Sequence, residues 1–432
     1  MTNRLLIGVL ILLAPVALAQ EREPEWPGWG GPQRNFITTG TTLATSWPAD
    51  GPPRLWSRPL GEGHSSIAVD RGRLYTMYRP STGTPNRFAA EEVVIALDAA
   101  TGNTVWEHRF PASLDTMNFS RGAGPHATPL IVGDRLFAAA SDKQFFALDK
   151  QTGRVLWSHN FVRDFGAPPN QMRYAIMPGY APSPLAYGNT VIAMVGGPDQ
   201  GVMAFRQDDG RVVWKSGNFP DDISPASPLL ITLDGEDQVV VTSGDGVHGL
   251  APADGRMLWS FPFPTRSGVN ITMPVWSSSD RTLFLSAAYD GGTRVLELAR
   301  TSGRTEVKER WYTNRMRVHF SNIVRVGDHF FGSSGDFGPS FLTAIDARTG
   351  DIAWQDRTFS KASFLDLGGR VLLLDEDGTL ALATLAADKL TVLAQAEIAR
   401  ATSWTVPTLV GNTLYLRDRV NVMALDLGRN PR

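Results

Sequence analysis

No cysteine occurs in the 432 residues. That absence excludes disulfides, thiolate metal sites and a lipidation cysteine. The chain also lacks a charge excess: 41 Lys and Arg stand against 43 Asp and Glu, a net charge of −2. Nothing in that balance draws the molecule onto nucleic acid or an acidic membrane, so no nucleic-acid partner is expected. The apolar run from Leu5 to Leu13 is too short for a comfortable membrane span. No stretch of three helical turns stands out, and with no helix to follow, a phosphate-cradling glycine loop has no place.

What is present begins with an export signature. Arg4 supplies a positive end, the apolar run follows, and Ala17-Leu18-Ala19 is a small-residue cleavage site before Gln20. Residues 1–19 read as a cleaved signal peptide, the alternative being a short N-terminal anchor. The mature protein is then expected in the periplasm or secreted, as a monomer with no transmembrane segment.

Tryptophan decides the architecture. The segment Ala-x-Asp-x-x-Thr-Gly-x-x-x-Trp recurs with Asp98, Gly102 and Trp106, with Asp149, Gly153 and Trp157, and with Asp346, Gly350 and Trp354. Weaker copies end at Trp214, Trp259 and Trp311, and Trp56 stands alone before the first copy. A period of roughly 45–50 residues signals a propeller or solenoid, because each unit is too small to bury its own faces. Between the tryptophans lie short alternating segments joined by Gly-Asp or Gly-Asn turns, such as Gly133-Asp134 and Gly411-Asn412. Each unit reads as four antiparallel strands. Third strands end at Asp98, Asp149, Arg206, Ala251, Leu298, Asp346, Ala383 and Asp426, which gives eight blades, the seventh degenerate. The last lacks a fourth strand, and residues 54–60 are available to supply it. The fold expected is all-β: an eight-bladed β-propeller over 54–427, closed by its N-terminal strand, with an extension at 20–53 and a tail at 428–432. The tryptophan, at the end of an outer strand, is expected to cover the neighbouring blade over a closely packed glycine turn.

The repeat, its period and its closure resemble the pyrroloquinoline-quinone-like (PQQ-like) propeller family. The opening Trp26-Pro27-Gly28-Trp29-Gly30-Gly31-Pro32-Gln33-Arg34-Asn35 looks like the start of many exported bacterial members. The resemblance implies one of two branches. Quinoprotein dehydrogenases hold PQQ and calcium on the propeller axis, with Asp, Glu and Asn about the metal and a catalytic Asp. BamB-type assembly factors are non-enzymatic lipoproteins. This chain lacks the stacked cysteines of many dehydrogenases and the lipidation cysteine of BamB.

A propeller site takes one residue from each blade at the axis. Aligned on the steps Thr128-Pro129, Ser183-Pro184, Ser227-Pro228 and Val406-Pro407, the blades offer His64, His126, Ala181, Pro225, Ile271, His319, Lys361 and Trp404. Ring closure makes Trp404, His64 and His126 consecutive. Imidazoles can bind metal or an anion or move protons, although no carboxylate shares the register. With Arg121, Arg173, Arg315, Arg317 and Lys361 nearby, one mouth is expected to be basic and to suit an anionic small molecule. Asp375-Glu376-Asp377-Gly378 resembles the start of a calcium loop but lacks the later glutamate and reads as a hairpin turn. Asp221-Asp222 reads as a solvated loop pair. Gly61-Glu62-Gly63-His64-Ser65 has no partner motif for nucleophilic catalysis.

The favoured expectation is a non-catalytic binding or assembly scaffold of the cell envelope, with an envelope protein or small anionic ligand at the axial funnel. The alternative is a PQQ-dependent dehydrogenase acting on an alcohol or sugar. A scaffold should show an exposed edge or apolar loop surface and no closed cavity. An enzyme should show an axial pocket with an aromatic floor, converging Arg and Asn, and a carboxylate pair.

Overall fold

The computed structural model describes residues 25–39, 43–84, 87–115, 117–120, 122–169, 179–217, 224–336 and 338–428. The signal reading at 1–19, Arg121, Arg173 and Asp221-Asp222 lie outside them. Among the described residues, no helix is long and apolar enough to cross a membrane.

Alternating apolar residues and left-handed turns produce eight four-stranded antiparallel sheets, seven of which pair only strands that follow one another in the chain. Blades 1 to 7 span residues 68–111, 130–160, 185–216, 229–262, 275–313, 324–356 and 362–397. Blade 8 combines Thr408–Val410, Thr413–Arg417 and Asn421–Asp426 with the N-terminal strand Arg54–Pro59. The closing register pairs Ser57 with Met423 and Arg58 with Val422. Inner strands are short (Ala68–Asp70, Leu130–Val132), and outer ones reach ten residues at Arg304–Thr313, as expected of strands radiating from an axis. Middle strands are buried on both faces, since each sheet is covered by two neighbours: Val93, Val94, Ile95, Ala96 and Leu97 are all at 0% exposure.

The tryptophans do what their position in the repeat suggested. Nε1 of Trp56 donates to the Ala99 carbonyl, Trp106 to Lys150, Trp157 to Gln207, Trp214 to Pro252, Trp311 to Ala347 and Trp354 to Ala386. Every acceptor belongs to the next blade. Five of these indoles rest on a glycine of the next blade: a Cβ on Gly102 would stand 2.6 Å from Trp56, and one on Gly153 2.5 Å from Trp106. Gly210, Gly255 and Gly350 are placed likewise under Trp157, Trp214 and Trp311, whereas the turn of blade 7 that faces Trp354 has no glycine. Asp98 shapes that turn by accepting hydrogen bonds from the Ala100 and Thr101 amides and the Thr101 hydroxyl. The Thr101 hydroxyl is the main reason its carboxyl lies below the usual range. Trp259 breaks the pattern and bonds to Gln238 Oε1 in its own blade, because the next blade answers with the long hairpin Gly292–Thr301 and Arg304–Thr313.

Two features were not foreseen. A short helix, Phe161–Phe165, follows blade 2, capped by Asn160 and by left-handed Gly166. More consequential is the N-terminal extension, which crosses one end of the axis. Trp26 bridges Val69 of blade 1, and Pro27 accepts from Ile131 of blade 2. The Arg34 guanidinium donates to the carbonyls of Ser183, Pro184 and Pro228 in blades 3 and 4. Ile37 bridges Asp366 of blade 7, and Ala44 donates to Leu427 beside blade 8.

Candidate functional site

The crossing segment turns the axial channel into a cup. Its floor carries Trp29 and Phe36, packed edge to face at 5.2 Å. Its walls carry inner-strand approaches from the blades and enclose about 500 Å³. Of the residues aligned in the sequence, His64, His126, Ala181, Pro225, Ile271 and Trp404 line it.

The rings form a continuous arc. His126 stacks on His64 at 5.3 Å and 14°, His64 lies 5.1 Å from Trp404, and Trp404 lies 4.8 Å from Phe320. Trp404 is held from behind, since its Nε1 donates to Glu376 Oε2 at 2.7 Å. Glu376 sits in the turn between Val371–Asp375 and Thr379–Leu385, so the segment 375–378 is a hairpin turn that orients a cup residue.

His319 and Lys361 do not line the cup, and the reason is register. His64, His126, Ala181, Ile271 and Trp404 each stand six residues before the last residue of their inner strand (Asp70, Val132, Tyr187, Ser277 and Val410). Counting the same six back from Val326 gives Phe320, which does line the cup, whereas Lys361 stands only five before Asp366. A one-residue slip turns a side chain to the other face. His319 is therefore buried behind Phe320, its ring 3.6 Å away, and Lys361 Nζ lies 5.0 Å from the Phe320 ring.

Of the cations expected at the mouth, those among the described residues stand apart from the cup. Arg317 lies outside the cup, 3.4 Å from Asp290 and 3.7 Å from Asp336. Arg315 lines a separate cleft with it. Arg266 is the cation of the described rim, and Asp290 stands 3.5 Å from it.

The Ser/Thr-Pro steps serve as ties between blades. Thr128 Oγ1 accepts from the Ser66 amide, Ser183 Oγ from Thr128 and Ser227 Oγ from Ser183. Asn322 clasps the Phe364 backbone with both side-chain atoms. Much of the polar lining is thus committed to holding the ring.

Calcium prefers six or more oxygen ligands, carboxylates prominent among them. The described lining contains hydroxyls and amides but no Asp or Glu. Among the described residues, no cluster of three or more His, Asp or Glu could hold a metal ion. The donor set of the described cup wall does not fit the calcium that the dehydrogenase branch requires.

Fold and site together define an eight-bladed β-propeller with a plugged, ring-lined axial cup. A sequence model of the outer membrane protein assembly factor BamB family matches residues 33–160 and 90–356, and the chain belongs to that family. A BamB of Bordetella pertussis is 28% identical over 203 residues, 43% of this chain and 46% of that one. A quinoprotein ethanol dehydrogenase of Pseudomonas putida is 38% identical over 117 residues, 24% of this chain and 16% of that one. The matched segments thus span less than half the length of these relatives. Among solved structures, BamB of Moraxella catarrhalis superposes with a TM-score of 0.56 at 16% identity, covering 87% of this chain and 99% of that one. A quinohemoprotein alcohol dehydrogenase of Pseudomonas putida gives 0.62 at 12%, covering 94% and 81%. These similarities are of fold.

Proposed function

We propose that this protein is a non-catalytic binding propeller of the cell envelope, whose axial cup takes a flat apolar group of a small ligand or of a partner protein. The ring-lined cup with its aromatic floor is the pocket expected of the enzyme alternative; the observation that favours binding without catalysis is the donor set, with no carboxylate among the described lining residues. Alcohol oxidation needs a base placed to take the hydroxyl proton, and in the dehydrogenase branch that base is a carboxylate beside calcium. A volume of about 500 Å³ suits a drug-sized group. With Arg266 and no carboxylate among its described lining residues, the cup favours neutral or anionic ligands. Exposed Val105, Val212, Val213, Met257, Tyr312 and Leu393 on the outer strands give the outer wall of the propeller, away from the cup, apolar contact points for a partner. Similarity to outer membrane assembly factors supports an envelope protein as that partner. The expected export signal is consistent with that location.

Calorimetric titration with pyrroloquinoline quinone, with and without calcium, tests the reading. The expected result is the absence of calcium-dependent binding. Saturable micromolar binding, about −8 kcal/mol, that needs calcium would instead establish the dehydrogenase alternative.

A further inference from the structure

The cup draws on the residues that lead into the inner strands. At the other end of those strands lies a second cleft, of about 690 Å³, between the N-terminal extension and blades 1 to 4. Its lining takes in the turns that follow two inner strands, at Arg71 after Ala68–Asp70 and at Gly133-Asp134 after Leu130–Val132. The apolar part comes from Leu130, Leu185 and Leu230, one from each of blades 2, 3 and 4, and from Pro27, Trp29 and Pro32 of the extension.

The charged part is one-sided. Among the described residues, Arg34, Arg71, Arg135 and Lys150 line the cleft with a single carboxylate, Asp134. Two of the four cations are committed. Arg34 holds its three backbone carbonyls, and Lys150 Nζ donates to Asp70 Oδ2 at 2.8 Å and to the Gly133 carbonyl. Arg71 stands at the exposed rim, 4.0 Å from Asp70. Arg135 is different. It opens the strand Arg135–Ala139, is partly buried, and has a buried Nε with no acceptor among the described residues. A guanidinium carries donors only and stays charged, so neither its charge nor the direction of its bonds depends on where a proton is placed. A buried donor left unmet costs stability, and a bound anion is one way a native protein meets it.

We propose that this cleft binds a small organic carboxylate with an apolar body, and that Arg135 is its anchor. Nε and one Nη form a fork that matches the two oxygens of a carboxylate, while the leucines take the hydrocarbon. With Arg34 and Lys150 committed, Arg71 and Arg135 against Asp134 leave one net positive charge. That balance suits a monoanion over a doubly charged phosphate ester. The site is separate from the axial cup and does not depend on it.

A matched pair of probes tests the assignment. 2-Naphthoate and naphthalene-2-carboxamide share a shape and differ in charge. Both are titrated calorimetrically into the wild type, Arg135→Met and Trp404→Ala. Wild type is expected to bind the carboxylate about ten- to hundredfold more tightly, the range of hydrogen bonds to a charged group. Arg135→Met should lose that preference, and Trp404→Ala should keep it. Because the Arg135 Nε gives up no protein acceptor, Arg135→Met should also melt at or above the wild-type temperature without ligand. Failure of the carboxylate to bind, equal affinity for the two probes, a preference that survives Arg135→Met, or melting of that variant well below wild type overturns the proposal. A preference abolished by Trp404→Ala and not by Arg135→Met places the carboxylate in the cup, which overturns this site and leaves the cup reading intact.

Discussion

At Gly153 a methyl group has nowhere to go. The residue sits at φ 72°, and an added Cβ would lie 2.5 Å from the Trp106 ring. Gly72 has the same φ with nothing within 4 Å. The two sites therefore separate backbone strain from collision. Gly72→Ala should cost about 1 kcal/mol for the left-handed backbone alone. Gly153→Ala should cost about 3 kcal/mol, since overpacking adds to it. Chemical denaturation of the two variants checks the difference. The Trp-Gly spacing was legible in the sequence, but it could not say that the indole rests on the glycine of the following blade, as Trp106 does on Gly153. Lys143 was not legible at all. It is 1% exposed, donates to the carbonyls of Pro168 and Val195, and burial lowers its pKa to about 7. A lysine whose folded pKa lies below its unfolded value binds fewer protons in the native state, so stability rises with pH across the interval between the two values. Thermal melts of the wild type should shift upward from about pH 7 to about pH 10. Lys143→Met, which keeps the length without the charge, should lose that slope.

Strands and turns were readable because each repeat states them several times over. The extension states its role once. Its Trp26-to-Asn35 motif carries no periodicity, and nothing local says that Arg34 will cross the axis to three carbonyls in two blades. The site suffered from the same limit. Five of the aligned residues keep one spacing to their inner strands, so most of the cup could be assembled on paper. Blade 6 carries one residue more between His319 and its strand end, and blade 7 one fewer, and a slip that small is invisible without the ladder. Arg34 is the place to test the segment as an element. Its guanidinium is buried, and burial pulls its pKa down to about 10, so it remains charged at neutral pH. Arg34→Ala should destabilise by about 2–4 kcal/mol, from lost charge-assisted bonds and orphaned carbonyls. It should also loosen Trp29 and Phe36, so that any ligand that rests on the cup floor loses affinity together with stability. A floor that did not depend on Arg34 would show the stability loss alone.

Ring closure belongs to the molecule as a whole. Blade 8 takes three strands from one end of the chain and the fourth from the other, so that the two ends of the chain are paired in one sheet between blades 7 and 1. Further ties seal the same seam: Arg417 is fully buried and donates to the carbonyls of Met77 and Gly61, and Thr408 donates to Ile67. If the seam is where the circle is held, it is also where the unfolded chain is most usefully constrained. Ser57 and Met423 are register partners 366 positions apart (423 − 57). Opposed residues of an antiparallel pair lie within disulfide reach, and the natural chain has no cysteine to mispair with. A Ser57→Cys/Met423→Cys variant should therefore oxidise within one molecule. Loop-closure entropy for a ring of that size sets an upper value of roughly 6 kcal/mol. The oxidised form should melt well above its own reduced form, which controls for the methionine removed from the core. Cross-linking between molecules instead, or equal melting of the two forms, would mean that the N-terminal strand does not close the ring.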